Sequence, residues 1–195
     1  TLRIRTWWGI VICFSLVISG PRWMTLTFFA LISFLALKEY CTLISVHFPR
    51  WLYWVIPLNY LLIGFNSFEL FLLFIPLAGF LILATWRVLA GDTSGFLHTV
   101  SAIFCGWIMT VFTLSHAAWL LMLPTTNIQG GALLVLFLLA LTESNDIAQY
   151  LWGKSCGRRK VVPKVSPVKT LEGLMGGVIT TMIASLIIGP LLTPL

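Results

Sequence analysis

Residues 68–86 read FELFLLFIPLAGFLILATW, and this stretch decides the class of fold because it carries a single charged side chain, Glu69. A helix needs about 20 apolar residues to cross the hydrocarbon core of a bilayer. The expected fold is therefore an all-α, polytopic membrane protein with about seven helical spans. We predict these spans near residues 7–20, 23–46, 51–65, 68–86, 96–122, 128–145 and 174–195, of which the first and third are short.

The composition supports a chain that lies in lipid. Of 195 residues, 59% are hydrophobic and 9% are charged, and the mean hydropathy is +1.00. A separate soluble domain needs more charged surface than this, so we predict a single membrane domain over residues 1–195. The four cysteines have no CxxC spacing and the histidines (His47, His98 and His116) show no paired spacing, so neither predicts a metal site.

The positive charge is concentrated in one segment. The net charge of +6 comes from 12 basic and 6 acidic residues, and half of the basic ones lie between Lys154 and Lys169 with no acid among them. Such a segment beside a span faces anionic lipid head groups or a phosphate more often than nucleic acid. The positive-inside rule places it on the cytoplasmic side. We therefore predict a basic cytoplasmic loop before the last span and no nucleic-acid partner.

Asp146 is the candidate catalytic carboxylate, because it lies at the membrane end of the sixth predicted span and faces the basic loop. A carboxylate there can bind a divalent metal through oxygen or orient a basic side chain. Glu143 lies one helical turn earlier, so both acids can point at one metal site. A salt bridge from Asp146 to Lys154 is the structural alternative, and the sequence leaves both open.

Ser166 and Pro167 have the pattern of a helix N-cap followed by proline at the first helical position. This pattern places Lys169 and Thr170 in the first turn of the last helix, where free amide groups and a lysine make an anion site. Glu172 in the same turn favours the helix dipole. Three glycines, Gly173, Gly176 and Gly177, permit close approach either of a ligand or of a neighbouring helix.

The stretch AQYLWGKS at residues 148–155 is similar to a phosphate-binding loop, but it does not predict one. Ala148 stands where that loop needs glycine, and a membrane helix precedes it instead of a strand.

Residues 145–177 resemble the CDP-diacylglycerol synthases, or phosphatidate cytidylyltransferases. In that family an Asp is followed four residues later by Tyr and then by Gly and a basic residue. Asp146, Tyr150, Gly153 and Lys154 match this pattern, and Gly157 is also in place. The family stretch KxSPxKTxEGxxGG is matched by Lys164, Ser166, Pro167, Lys169, Thr170, Glu172, Gly173, Gly176 and Gly177.

Two features depart from the family pattern. Val168 occupies a place where bacterial members commonly have glycine, and the family's C-terminal signature of GD, KRxxxxKD and HGGxxDRxD elements does not follow Gly177 in these 195 residues. The resemblance therefore predicts the N-terminal two-thirds of such an enzyme, catalytically incomplete in this form.

The resemblance implies transfer of a cytidylyl group from CTP to phosphatidate, with Mg²⁺, in phospholipid synthesis at the bacterial inner membrane. It implies catalytic roles for Asp146 and Lys169, with Asp146 also the metal ligand. The implied phosphate- and substrate-binding residues are Lys154, Lys164, Ser166, Thr170 and Glu172. The expected partners are CTP, phosphatidate and other membrane lipids, and an oligomer is left open.

Two other classes of function compete with this reading. A non-catalytic membrane scaffold or lipid-binding protein would keep the basic loop without the reaction. A transporter would spread polar residues along a central path, whereas here they gather near one interface.

Overall fold

The computed structural model describes residues 2–44, 46, 48–91, 94–124 and 130–193, apart from the side chains at 2–4, 6, 7, 10 and 11; His47 lies outside this part of the chain. The chain forms two compact units, Thr1–Leu123 and Pro124–Leu195. The helices are α1 (Leu2–Ile18), α2 (Arg22–Leu43), α3 (Val55–Gly64), α4 (Phe68–Leu89), α5 (Phe96–Met122), α6 (Gly130–Cys156) and α7 (Leu171–Leu192).

Long apolar helices make this a membrane protein. Within the described residues, α2, α4, α5, α6 and α7 are long and apolar enough to cross a bilayer. Helix α1 has 17 residues, and α3 has 10 after a short 3₁₀ turn over Arg50–Trp54. These two correspond to the first and third predicted runs, whose shortness is confirmed.

The first unit packs α2 to α5 around side chains with no exposed surface, among them Leu37, Ile63 and Phe71. Ser33 and Tyr60 share a buried hydrogen bond of 2.8 Å between their hydroxyl groups. Both α4 and α5 contain a π-helical stretch, over Phe74–Gly79 and Ile108–Phe112. The first includes Pro76, which has no N–H to donate to the helix.

The second unit is a helical hairpin with a small sheet at its closed end. Helix α6 leads into strand β1 (Lys160–Val162), which pairs antiparallel with β2 (Ser166–Thr170), and β2 runs directly into α7. Lys160 pairs with Thr170 and Val162 with Ser166, with an irregularity between the two pairs. The all-α prediction therefore holds for the membrane helices, and the segment predicted as a loop contains this short two-stranded sheet.

The predicted end of the sixth span is also wrong, because α6 continues past residue 145 to Cys156. Asp146, Tyr150, Gly153 and Lys154 therefore lie within a helix and not in a loop. The polar residues 143–146 led the prediction to end the helix there. Polarity changes what a helix faces, but no proline or sustained loss of helix formers interrupts the backbone before Gly157.

The predicted N-cap at Ser166 is wrong as well. Ser166 to Thr170 are extended, and Thr170 is the residue that caps α7, with φ −118° and ψ 154°. A residue before proline is biased toward extended backbone, and the β-branched Val168 favours a strand. Lys169 therefore lies in β2, one residue before the cap, and not in the first turn of α7.

Candidate functional site

The two helices of the second unit approach closely because glycines lie between them. A Cβ atom on Gly173 would lie 2.8 Å from the carbonyl oxygen of Gln149 and 3.0 Å from the Cα atom of Gly153. A Cβ atom on Gly177 would lie 3.1 Å from Asn145 Oδ1. Of the two roles that the sequence left open for Gly173 and Gly177, the structure supports helix packing.

Polar side chains also join α6 to α7. Trp152 Nε1 donates to Thr180 Oγ1 at 3.0 Å, and Thr181 Oγ1 donates to Asn145 Oδ1 at 3.3 Å. Thr181 is ten residues beyond Leu171, the first residue of α7, so Asn145 lies about 15 Å along the helix from that end. Asp146, the next residue, is therefore level with the middle of a 22-residue apolar helix.

Four polar residues, three from the family motif and Glu143 just before it, form a stripe on α6. Glu143, Asp146, Tyr150 and Lys154 follow one another at intervals of three or four residues, which places them along one face of a helix. All four are exposed, whereas Asn145 contacts α7. The polar stripe thus lies on the side of α6 away from α7 and runs from the middle of the helix to its hairpin end.

The two carboxylates of the stripe, Asp146 and Glu143, lie on the exposed face of α6. Within the described residues, neither Asp146 nor Glu143 makes a side-chain hydrogen bond or a salt bridge, so the predicted alternative of an ion pair with Lys154 is not seen. The same part of the chain has no group of three or more His, Cys, Asp or Glu side chains placed to hold a metal ion. Among the residues that the structure describes, Asp146 and Glu143 are therefore two carboxylates without a partner, one helical turn apart.

Most of the predicted phosphate ligands lie in the basic hairpin, which we define as residues 157–170. Lys164 and Lys169 are exposed and Ser166 is half-buried. Lys154 ends the polar stripe, eight residues and about 12 Å along the helix axis from Asp146. The structure does not bring Asp146 into direct contact with these cations, so only an extended ligand reaches both.

Thr170 has a different place from the one predicted. Its side chain is buried, with 7% of its surface exposed, and its Oγ1 accepts the N–H of Gly173 at 3.2 Å. The Cβ positions of Gly153 and Gly157 both lie against this hydroxyl. Thr170 therefore caps α7 and fills the contact between the two helices, and the sequence signal for this was that threonine is a preferred N-cap residue.

Glu172 closes the base of the basic hairpin. Its Oε2 accepts the backbone N–H of Arg158 at 2.9 Å and that of Arg159 at 3.1 Å. Leu171 N–H donates to the Arg159 carbonyl at 2.8 Å beside it. Sequence reasoning placed Glu172 among the substrate-binding residues and missed this contact, because a carboxylate that accepts backbone amides leaves no pairing pattern in the sequence.

We expect Glu172→Gln to loosen the base of the hairpin, because a neutral amide accepts these two N–H groups more weakly than a carboxylate does. Trypsin should then cut after Arg158, Arg159 or Lys160 severalfold faster, as measured by mass spectrometry of the first fragments in detergent. Glu143→Gln removes the same charge without this contact and serves as the control. Equal cutting of the two variants would contradict the role of Glu172.

A comparison with protein families decides the relationship. The model of the cytidylyltransferase family matches residues 1–195, the whole chain. The chain belongs to the cytidylyltransferase family. The resemblance seen in residues 145–177 is therefore confirmed.

Individual relatives agree with the family. The chain is 94% identical over its full length to the uncharacterized protein YnbB of Escherichia coli (strain K12), of which it spans 65%. It is 30% identical over 118 residues, 58% of this chain and 40% of the relative, to a phosphatidate cytidylyltransferase of Bacillus subtilis (strain 168). A phosphatidate cytidylyltransferase of Haemophilus influenzae is 40% identical over 57 residues, 29% of this chain and 20% of the relative. No solved structure matches the chain.

Proposed function

We propose that this chain is part of a phosphatidate cytidylyltransferase that converts CTP and phosphatidate to CDP-diacylglycerol and pyrophosphate. The observation that carries the proposal is the polar stripe, which extends from the middle of an apolar helix to a hairpin rich in cations. Charged side chains at membrane depth are costly and usually line a polar site. A stripe that connects this depth with a cationic surface suits a reaction between a soluble nucleotide and a lipid phosphate.

The basic residues are proposed to bind the phosphates of the nucleotide. Lys154, Lys164 and Lys169 are exposed and lie at or beyond the hairpin end of α6. Ammonium groups form strong charge-assisted hydrogen bonds to phosphate oxygens. A triphosphate is long enough to pass from these lysines toward Asp146, which supports CTP as the extended ligand that the separation of these groups requires.

Asp146 and Glu143 are proposed to hold Mg²⁺ at this site. Mg²⁺ is bound in many phosphate sites by one or two carboxylates together with substrate phosphates and water. Two carboxylates one turn apart, with no partner in the described part of the chain, fit this pattern. When bound, the metal neutralises charge that develops on the phosphates.

The remaining chemistry is positioning. An oxygen of the phosphatidate phosphate attacks the α-phosphorus of CTP, a new P–O bond forms, and the bond to the bridging oxygen breaks as pyrophosphate leaves. The lysines hold the phosphates in line and stabilise the leaving charge, with Lys169 closest to the capped start of α7. Asp146 orients the metal or a lysine.

The proposal also covers the number of membrane spans and the side of the membrane on which the basic hairpin lies. Seven spans, with α1 and α3 as tilted or partly inserted helices, place the basic hairpin on the cytoplasmic side of a bacterial inner membrane. CTP and phosphatidate meet at that surface, and other membrane lipids surround the helices.

The experiment is the transfer of labelled cytidylyl from CTP to phosphatidate in detergent with Mg²⁺. Because the chain spans 65% of the E. coli relative, two proteins are compared: the 195-residue chain, and the chain continued with the remainder of that relative. We expect transfer by the continued chain and none by the shorter one. Absence of transfer by the continued chain, with phosphatidate binding retained, would instead support a lipid-binding or scaffold protein.

Lys169→Ala should lower the activity of the continued chain far more than Arg158→Ala. Lys169 is proposed to bind phosphate through its side chain, whereas Arg158 holds the hairpin through its backbone N–H, which alanine retains. The two variants remove equal charge from the same hairpin. Measured kcat/KM for CTP that fell equally in both would show a general effect of surface charge instead of a specific site.

A further inference from the structure

The basic hairpin exposes valines that phosphate binding does not use. Val165 and Val168 are 84% and 72% exposed, and Val161 and Val162 are each 42% exposed. These four apolar side chains lie within eight consecutive residues. Exposed apolar side chains on a surface hairpin mark a contact with a membrane or with another molecule.

Cations of the same hairpin remain outside the proposed nucleotide site. Arg159 and Lys160 are exposed, and neither has a role in the proposed reaction. The single acid between residues 147 and 195 is Glu172, and its carboxylate is already bound by the backbone amides of Arg158 and Arg159. The hairpin therefore presents apolar side chains together with positive charge, and this combination complements an anionic lipid surface.

The hairpin is tethered to the membrane at both ends. Only residues 157–159 separate the end of α6 from β1, and β2 continues into α7 without a linker. Both helices are candidate membrane spans. The tether keeps the valines beside the head-group layer at a high effective concentration, so weak individual contacts are sufficient for docking.

We propose that the basic hairpin docks on the head-group layer of the membrane that its own helices cross. Val165 and Val168, the two most exposed valines, enter the interfacial layer, and Arg159 and Lys160 bind the phosphates of anionic head groups. This contact goes beyond the proposed reaction and does not depend on CTP. It holds the hairpin at the surface, where the lysines of the proposed site lie near the head group of a lipid substrate.

A fluorescent label in place of Val165 tests the docking. The four cysteines are replaced by serine, Val165→Cys is labelled with an environment-sensitive dye, and the protein is placed in phosphatidylcholine nanodiscs with or without phosphatidylglycerol. In the discs that contain phosphatidylglycerol, we expect lipid-attached nitroxide to quench the dye severalfold more strongly than in discs of phosphatidylcholine alone. Iodide, which stays in water, should quench it more weakly there. High salt should reverse part of this difference.

Two double variants that carry this label distinguish binding of head groups by Arg159 and Lys160 from a general effect of the protein's net charge. Arg159→Ala with Lys160→Ala should abolish the response to phosphatidylglycerol, whereas Arg22→Ala with Lys38→Ala removes the same two exposed charges from α2 and should leave it unchanged. A water-like dye in both lipids would overturn the proposal. The proposal would also be overturned if the dye were shielded from iodide equally in both lipids and in both charge variants, or if it were shielded only when CTP is present. These outcomes point to a protein or nucleotide partner. Val168→Cys provides a second labelled site should the first variant fail to fold.

Discussion

Asp146→Asn should lower the transfer of cytidylyl to phosphatidate at least about a hundredfold in the chain continued with the remainder of its E. coli relative. Asparagine has nearly the shape of aspartate but no negative charge, so it binds Mg²⁺ or orients a lysine poorly. Because the Asp146 carboxylate is exposed and has no partner in the described residues, the substitution breaks no contact that holds the fold. The loss is therefore expected in kcat with an unchanged melting temperature.

Two further variants interpret that result. Ser155→Ala removes an exposed hydroxyl that only donates to the Leu151 carbonyl within α6, and it should leave the activity unchanged. Glu143→Gln distinguishes the two roles of Asp146: a comparable loss, with a raised Mg²⁺ requirement, indicates a metal site of two carboxylates. A small loss indicates that Asp146 orients a cation alone. If Asp146→Asn kept full activity, the polar stripe would not be part of the active site.

The membrane helices were predictable because hydrocarbon thickness and helix rise fix how long an apolar run must be. Residues 68–86 gave α4 with an end only three residues from the observed Leu89. The same reasoning failed at residue 145, because α6 continues as a helix with a polar face. Hydropathy measures the surroundings of a helix and not its backbone, so it could not locate Cys156 as the end.

The candidate site was predictable as a set of residues but not as an arrangement. The spacing of Asp146, Tyr150 and Lys154 pointed to a common region, and these residues do share one face of α6. The roles of Thr170 and Glu172 depend on contacts between residues from 3 to 14 positions apart, made possible by the strands. Local capping rules favoured Ser166, whereas strand pairing with β1 decided the backbone there.

The glycines of the motif show why a pattern shared with enzymes need not consist of ligand-binding residues. Gly153, Gly173 and Gly177 lie where α6 and α7 approach, and each faces atoms of the opposite helix or of the Thr170 cap. Without this close approach, the capped start of α7 would not reach the end of α6. Glu172 could then not accept the backbone N–H groups of Arg158 and Arg159. Part of the motif therefore builds the hairpin on which the lysines are carried.

Gly173→Ala should destabilise the second unit by about 1–3 kcal/mol, the usual range for an overpacked site. The new Cβ would lie within 3.0 Å of two backbone atoms of α6, at Gln149 and Gly153, and backbone cannot rotate away as a side chain can. Loss of helical circular dichroism on heating in detergent measures the effect. The hairpin should also become more sensitive to trypsin as the two helices separate.

Gly189→Ala is the matched control on the same helix. Its new Cβ would lie 3.8 Å from Phe137 Cζ, an ordinary van der Waals distance, so the helix gains alanine's higher propensity without a clash. We expect this variant to melt at the same temperature as the parent or slightly above it. If Gly173→Ala melted no lower than Gly189→Ala, the close approach of α6 and α7 would be wrong, and the glycines of the motif would have to be reassigned to contact with a ligand.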